Sequence, residues 1–400
     1  MNRHNQDDSL LLLNEHNVKN KLYRLLILVI SLSACDKPYT NTDGDQEILK
    51  IAFNEVELNA YPYKIDKIVP LETTENNFLS DNLKVKITPD YIFVFDEEIR
   101  DAVHQFDHSG KYVGEIISIG EGPGKVNRIY DFTVSDMGVE ILVGKGSYSE
   151  VVVVSTPDKR IVDTLRLDVI GFSFEKINGH YFVYSSYNYP LAEYRVSKID
   201  LEGNTIAGFL KNDYSGKMVP MIERNFFGMG EKVFLVESFN NRIYALAQGQ
   251  LKCKYILDFG SYNFAEDLLE RDIMVTFEQL NADGFFSIRH HFENKAISLT
   301  GVHFQRENNS QSYHLLMDRN SNKLIKTKLE EGWGDIFKNP IAITDSDKVV
   351  FSAHPRNLIR NAENFDDNKV VARVLNNLEN QDNPVLIYSD LQFRTKTNTQ

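Results

Sequence analysis

Between residues 48 and 393 the chain repeats one unit six times: short apolar runs of β type, separated by turn residues. The second run of each unit starts near residues 91, 139, 180, 232, 296 and 348, so successive units lie 41 to 64 residues apart. Two units share a signature turn between their third and fourth runs. Asp107-His108-Ser109-Gly110 and Asp200-Leu201-Glu202-Gly203 place an Asp that can bond its own backbone ahead of a Gly that can take positive φ. Repeats of roughly 40–50 residues with four strands each specify an all-β, six-bladed β-propeller. A solenoid would need shorter and more uniform units, and a sandwich would not repeat a four-strand unit six times.

The departures from the repeat are as informative. Residues 264–280 carry Leu268, Leu269, Ile273, Phe277 and Leu280 at helical spacing, which predicts a helix inserted between blades four and five. Near the C-terminus, Val370, Val371, Val374, Leu375 and Leu378 form one apolar stripe that Asp366 or Asp367 could cap. Both stripes are expected to pack on the propeller. A closed ring also needs an N-terminal strand in its last blade, from residues 65–71 or from the earlier residues 48–58. Residues 394–400 are expected to be a disordered tail.

The first 47 residues read as an address. Lys19, Lys21 and Arg24 precede the apolar run 25–30, which extends through Ser31-Leu32-Ser33-Ala34. A basic segment, a short apolar core and small residues describe a secretory signal peptide over residues 1–34, and the run is too short to span a bilayer. Leu32-Ser33-Ala34-Cys35 resembles the bacterial lipobox, which implies lipidation at Cys35 and a membrane anchor. Residues 35–47, rich in Asp, Asn and Thr, are then a flexible tether. Residues 1–17 are unlike a signal segment, and translation is expected to start near Val18. The one other cysteine, Cys253, sits in an alternating apolar run and is expected to be a small buried hydrophobe. With two cysteines there is neither a disulfide framework nor a zinc site, and no metal or cofactor is expected. The net charge of −13 and the lack of a basic block argue against nucleic acid, and the protein is expected to be a monomer.

Four motifs in order resemble a known family, the six-bladed β-propeller lipoproteins of unassigned function from Gram-negative gut-type bacteria. They are Val69-Pro70-Leu71-Glu72-Thr73; Phe106-Asp107-His108-Ser109-Gly110-Lys111 followed by Gly120-Glu121-Gly122-Pro123-Gly124; Phe239-Asn240-Asn241-Arg242-Ile243-Tyr244; and Asn383-Pro384-Val385-Leu386. The chain departs from the family at Lys125, where Glu is commoner. The resemblance covers about residues 48–393 and implies a fold and an address, not a reaction.

In such a blade, the loops between second and third strands share one face with the blade-to-blade connections. On that face the sequence places Arg128, Tyr130, Asp131, Tyr148, Tyr187, Tyr189, Arg224, Phe239, Asn240, Trp333, His354 and Arg356. Aromatic rings beside amides and guanidinium groups suit a glycan, a peptide or a cell-envelope protein, so a binding or scaffold module is the favoured expectation. For each residue alone the plainer expectation is structural: Tyr187 and Tyr189 as a blade cap, Trp333 as a plug. The alternative is an enzyme, a lyase or glycan-processing hydrolase whose site is assembled from several blades, with Glu121, Asp131, Glu237 and His354 as acid/base candidates. No catalytic motif stands out in the sequence. His290-His291 are expected to point to opposite faces of a strand, and His104 and His108 to be solvated near a hairpin turn.

Overall fold

A computed structural model of the protein describes residues 46–51, 61–212, 223–229, 232–264, 268, 271–307, 309–365 and 368–393. The signal segment, Cys35 and the C-terminal tail lie outside them. Six sheets follow one another as the blades of a six-bladed β-propeller. Their second strands begin at Ile92, Gly138, His180, Lys232, Ile297 and Val349, each within one residue or so of the repeat read from the sequence. The first strands of neighbouring blades contact one another and form the hub. They are Leu83–Ile87, Asp131–Ser135, Ser173–Ile177, Phe226–Met229, Phe285–Glu293 and Asn339–Ile343.

The core lies between blades. Phe95 and Val103 of blade one pack with Ile141 and Val152 of blade two, and Leu142 and Val151 of blade two with Phe174 and Val183 of blade three. The turn glycines knit the same joints. Gly110 has φ +89°, and a Cβ there would lie 1.9 Å from the carbonyl oxygen of Pro70, in the outer strand of blade six. Gly203, φ +90°, is pressed in the same way against the carbonyl oxygen of Arg166, in the outer strand of blade two. Asp107 and Asp200 accept backbone N–H bonds two and four residues ahead, which fixes both turns.

Both N-terminal candidates for closure contribute strands, with different duties; residues 52–58 of the earlier one lie outside the described residues. Tyr63–Pro70 pairs antiparallel with Val385–Leu391 and is the outer strand of blade six, so the ring closes there. Glu47–Lys50 runs parallel to Gln250–Asp258 on the outer edge of blade four. The expected inserted helix, α1 (Ile273–Asp283), starts later than the stripe suggested, because the Asp272 carboxylate caps it by accepting from the backbone of Met274 and Val275. Two short helices, α2 (Trp333–Ile336) and α3 (Pro355–Arg360), interrupt loops that carry no helical stripe. The C-terminal stripe forms α4 (Lys369–Leu375), capped by Asn368 rather than by Asp366 or Asp367, which lie outside the described residues. It sits between the second and third strands of blade six and buries Val371.

One surface expectation is corrected. His104 lies in the middle of Ala102–Phe106, whose five residues are all buried between blades, and it bonds the Tyr112 hydroxyl at 3.2 Å. His108 stays exposed on its turn. Cys253 is buried and packs between blades three and four.

Candidate functional site

The hub is polar on one side and hollow on the other. Across blades one to three, alternate residues of the first strands are tied to one another. Lys84 Nζ lies 2.6 Å from Asp131 Oδ1, and Asp131 Oδ2 accepts from Ser173 Oγ and the Phe174 N–H. One rung further along, Lys86 Nζ donates to Glu175, which also accepts from Thr133. On the side of blades four to six a cavity of about 1440 Å³ opens instead, at the face that carries the loops.

The walls of this cavity come from three sources. The first strands of blades five and six supply Ser287, Arg289, His290 and Asn339. The second and third strands of blade five add His303, Gln305 and His314. Loops of blades one and four, with the last connection, add Glu97, Arg100, Glu223, Arg224, Phe239 and Lys338. A register shift between Ile288 and His290 bends the first strand of blade five here, and such bulges re-aim side chains. Beyond it the pairing is regular, His290 with Gly301 and His291 with Thr300, so strand alternation sends the two adjacent histidines to opposite faces as expected. His290 faces the cavity, its ring 5.5 Å from that of His314. His291 turns to Thr300, Glu293 and the Phe234 ring.

The cavity holds cations beyond ion-pair distance of its acids, although Glu97 acts on Arg224 and Glu223 on Arg289 at longer range. Among the described residues, Arg224, Arg289 and Lys338 have no carboxylate within ion-pair distance, while Arg100 is spent on the carbonyls of Glu97 and Tyr130. Arg224 stacks over the rings of Phe227 and Phe292 and keeps a buried Nε–H without an acceptor. The acids are muted. Burial pushes the Glu97 carboxyl up against the pull of Arg224, and burial also raises Glu223, which accepts from Ser238 and Asn225. Glu330 is paired with Lys328, and Asp335 with Arg360. Burial holds His290 well below the usual imidazole range, helped by His314 and Arg289, and pushes His314 down to about 3. Both rings are neutral at neutral pH.

Of the residues singled out from sequence, Arg224 and Phe239 line the cavity. Arg356 lines an adjoining hollow that shares Arg289, Lys338 and Asn339 with it, and lies 3.6 Å from Asp81. The others are placed elsewhere. Asp131 is in the buried network described above, and Glu237 is held bidentately by Arg195 and bonded by Asn240. Tyr187 is buried, donates to the Ser238 carbonyl and lies under Arg195. Trp333 packs in a triangle of rings with Tyr61 and Phe337, at 5.6 and 5.8 Å, the other two being 6.4 Å apart. Tyr130 packs on Gly144 and accepts from Arg128, Tyr148 lies under Arg166, and His354 caps α3. Tyr189 and Glu121 are exposed. Arg289, His290, His303, His314 and Lys338 were not singled out as site residues. For Arg289 and His290 the signal is the alternation of blade five's first strand, which the bulge at Ile288–His290 breaks; His303, His314 and Lys338 lie on that blade's second and third strands and on the last connection.

Comparison with known proteins supports the fold and adds a family. A crystal structure of a Bacteroides fragilis protein described as exported is similar over 86% of this chain and 99% of its own, at 14% identity and a TM-score of 0.69. A luciferin-regenerating enzyme (8% identity, TM-score 0.39, 82% of this chain and 94% of its own) shares too little geometry to bear on function. The same holds for the hydrazine synthase of Kuenenia stuttgartiensis (10% identity, TM-score 0.37, 77% and 83%). No curated protein matches the sequence. The family model for a domain of unknown function, DUF4934, matches residues 54–389, and the chain belongs to that family.

Proposed function

We propose that the protein is an exported, lipid-anchored binding module that captures a glycan, a peptide or a cell-envelope partner at the loop face of its propeller. The observation that carries this reading is the large cavity at that face, where Arg224, Arg289 and Lys338 have no carboxylate within ion-pair distance among the described residues. Sites of this kind sit on loops and strand ends held by a rigid scaffold. The lipobox-like Leu32-Ser33-Ala34-Cys35 supports export and anchoring, and the likeness to a protein described as exported supports export alone.

An enzymatic reading has one observation in its favour. Glu97 and Glu223 share the cavity, and burial raises both carboxyls toward the range a general acid needs. The acid/base candidates Asp131 and Glu237 are instead bound up in buried ion pairs.

A glycan and peptide array probed with the full chain, followed by a search for turnover of any hit, separates the two readings. The binding reading expects a retained, unaltered ligand whose binding falls with Arg224→Ala and is indifferent to Tyr148→Ala. A hit that is converted, and that Glu97→Gln preserves, gives the protein to the enzymatic reading. Unchanged membrane fractionation of Cys35→Ser would overturn the anchor.

A further inference from the structure

We infer that the ligand of this cavity is an acidic oligosaccharide, its carboxylates held by Arg224, Arg289 and Lys338 and its hydroxyls by the neutral polar groups between them. The inference rests on the binding-module reading and names its ligand class.

Charge is the first argument. The cavity acids are paired, hydrogen-bonded or pushed toward neutrality, with Glu331 the exposed exception, whereas three of its cations have no ion-pair partner among the described residues. Guanidinium groups in that state suit carboxylates, which they can grip with two parallel bonds.

The second argument is a buried donor. Tyr63 Oη lies 2.5 Å from His314 Nδ1, and the Tyr63 hydroxyl has no other acceptor among the described residues. The hydroxyl therefore donates to Nδ1, and the proton of the neutral ring sits on Nε2. His314 is fully buried, lines the cavity, and its Nε2–H has no partner among the described residues. Arg224 Nε is in the same condition. Buried N–H groups left alone are costly, and a hydroxyl or carboxylate oxygen in the cavity would satisfy both.

The third argument sets a sugar above a peptide. The apolar lining residues Phe285, Ile288, Val302 and Ile341 are at most 4% exposed, so they are walls rather than anchor pockets. The larger part of what remains accessible is amide, hydroxyl and charge, including Asn82, Gln305, Ser310 and Asn339, while the partly exposed Phe239, Phe277, Tyr313 and Leu329 offer apolar surface for ring faces. At about 1440 Å³ the cavity exceeds the ~300–1,000 Å³ of a typical small-molecule site and has room for several sugar units.

Calorimetric titration of the full chain with three probes tests this: a uronate tetrasaccharide, its methyl ester, and an oligoglutamate peptide. The uronate is expected to bind, the ester at least tenfold more weakly, and the peptide more weakly than the uronate. Arg289→Gln and Lys338→Gln, at exposed positions without ion pairs, should each weaken uronate binding about tenfold and flatten its salt dependence. An ester that binds as tightly as the acid overturns the charge argument, and tighter binding of the peptide overturns the sugar. If none of the three binds, the inference falls. The binding-module reading then survives only if another array ligand is retained and is weakened by Arg224→Ala.

Discussion

Tyr63 and His314 are 251 residues apart in sequence and 2.5 Å apart between hydroxyl and imidazole, which joins the closing strand of blade six to the third strand of blade five. The bond is buried, and Phe337 and Phe351 pack around the Tyr63 ring. Tyr63→Phe keeps that packing and leaves Nδ1 without its donor. The expected loss is about 1–3 kcal/mol, read as a lower urea midpoint at unchanged slope. An unchanged midpoint would mean that the closure does not depend on this bond.

His314 also makes the fold sensitive to acid. Burial lowers its folded value from the ordinary 6.5 to about 3, so the unfolded chain takes up a proton that the folded chain refuses. The unfolded state then binds more protons between those limits, and stability must fall as pH drops from about 6.5 toward 3, then level off. His290 and His291 are shifted the same way by burial. His314→Asn should cut proton uptake on unfolding at pH 5 by about one, measured as a shallower slope of stability against pH. A slope identical to the parent's would contradict a neutral buried ring.

The two N-terminal strands should differ sharply on truncation. Glu47–Lys50 adds little burial, with Ile48 59% exposed, whereas Tyr63, Ile65, Ile68 and Val69 are all buried in the closing strand. A chain starting at residue 61 should keep cooperative unfolding, with a modest loss from Ile51. A chain starting at residue 72 should lose it, because an open blade six exposes both an apolar face and a strand edge. Circular dichroism melts of the two chains decide the matter.

How far the sequence could be read follows from which signals are local. The turns at Asp107–Gly110 and Asp200–Gly203 and the spacing of the second strands are local, and they carried blade number and strand positions to within a residue or so. The first strand of blade five, Phe285–Glu293, has no clean alternation because its bulge inserts a residue, and with it went Arg289 and His290. The site suffered from the opposite problem. Asp131, Tyr187 and Trp333 have the chemistry of ligand contacts, but their chemistry is used up by Lys84, Ser238 and Tyr61, none of them near in sequence. Arg224 and Phe239 were legible because loop position alone puts them on the right face.

The Lys84–Asp131 pair offers the clearest test of how the solid side of the hub is held. Both side chains are buried, and Asp131 also accepts from blade three, so one carboxylate couples three blades. Lys84→Met strands the carboxylate, and removing one partner of a buried pair should cost about 3–5 kcal/mol. Asp131→Asn keeps an acceptor for Ser173 and Phe174 while stranding the lysine, so its loss should be smaller but of the same kind. In the double variant neither charge is left uncompensated. Its destabilisation should therefore fall short of the sum of the singles by at least about 1 kcal/mol in a double-mutant cycle. Additive losses would mean that the two groups act independently, and that the hub is held by apolar packing between blades rather than by this bond.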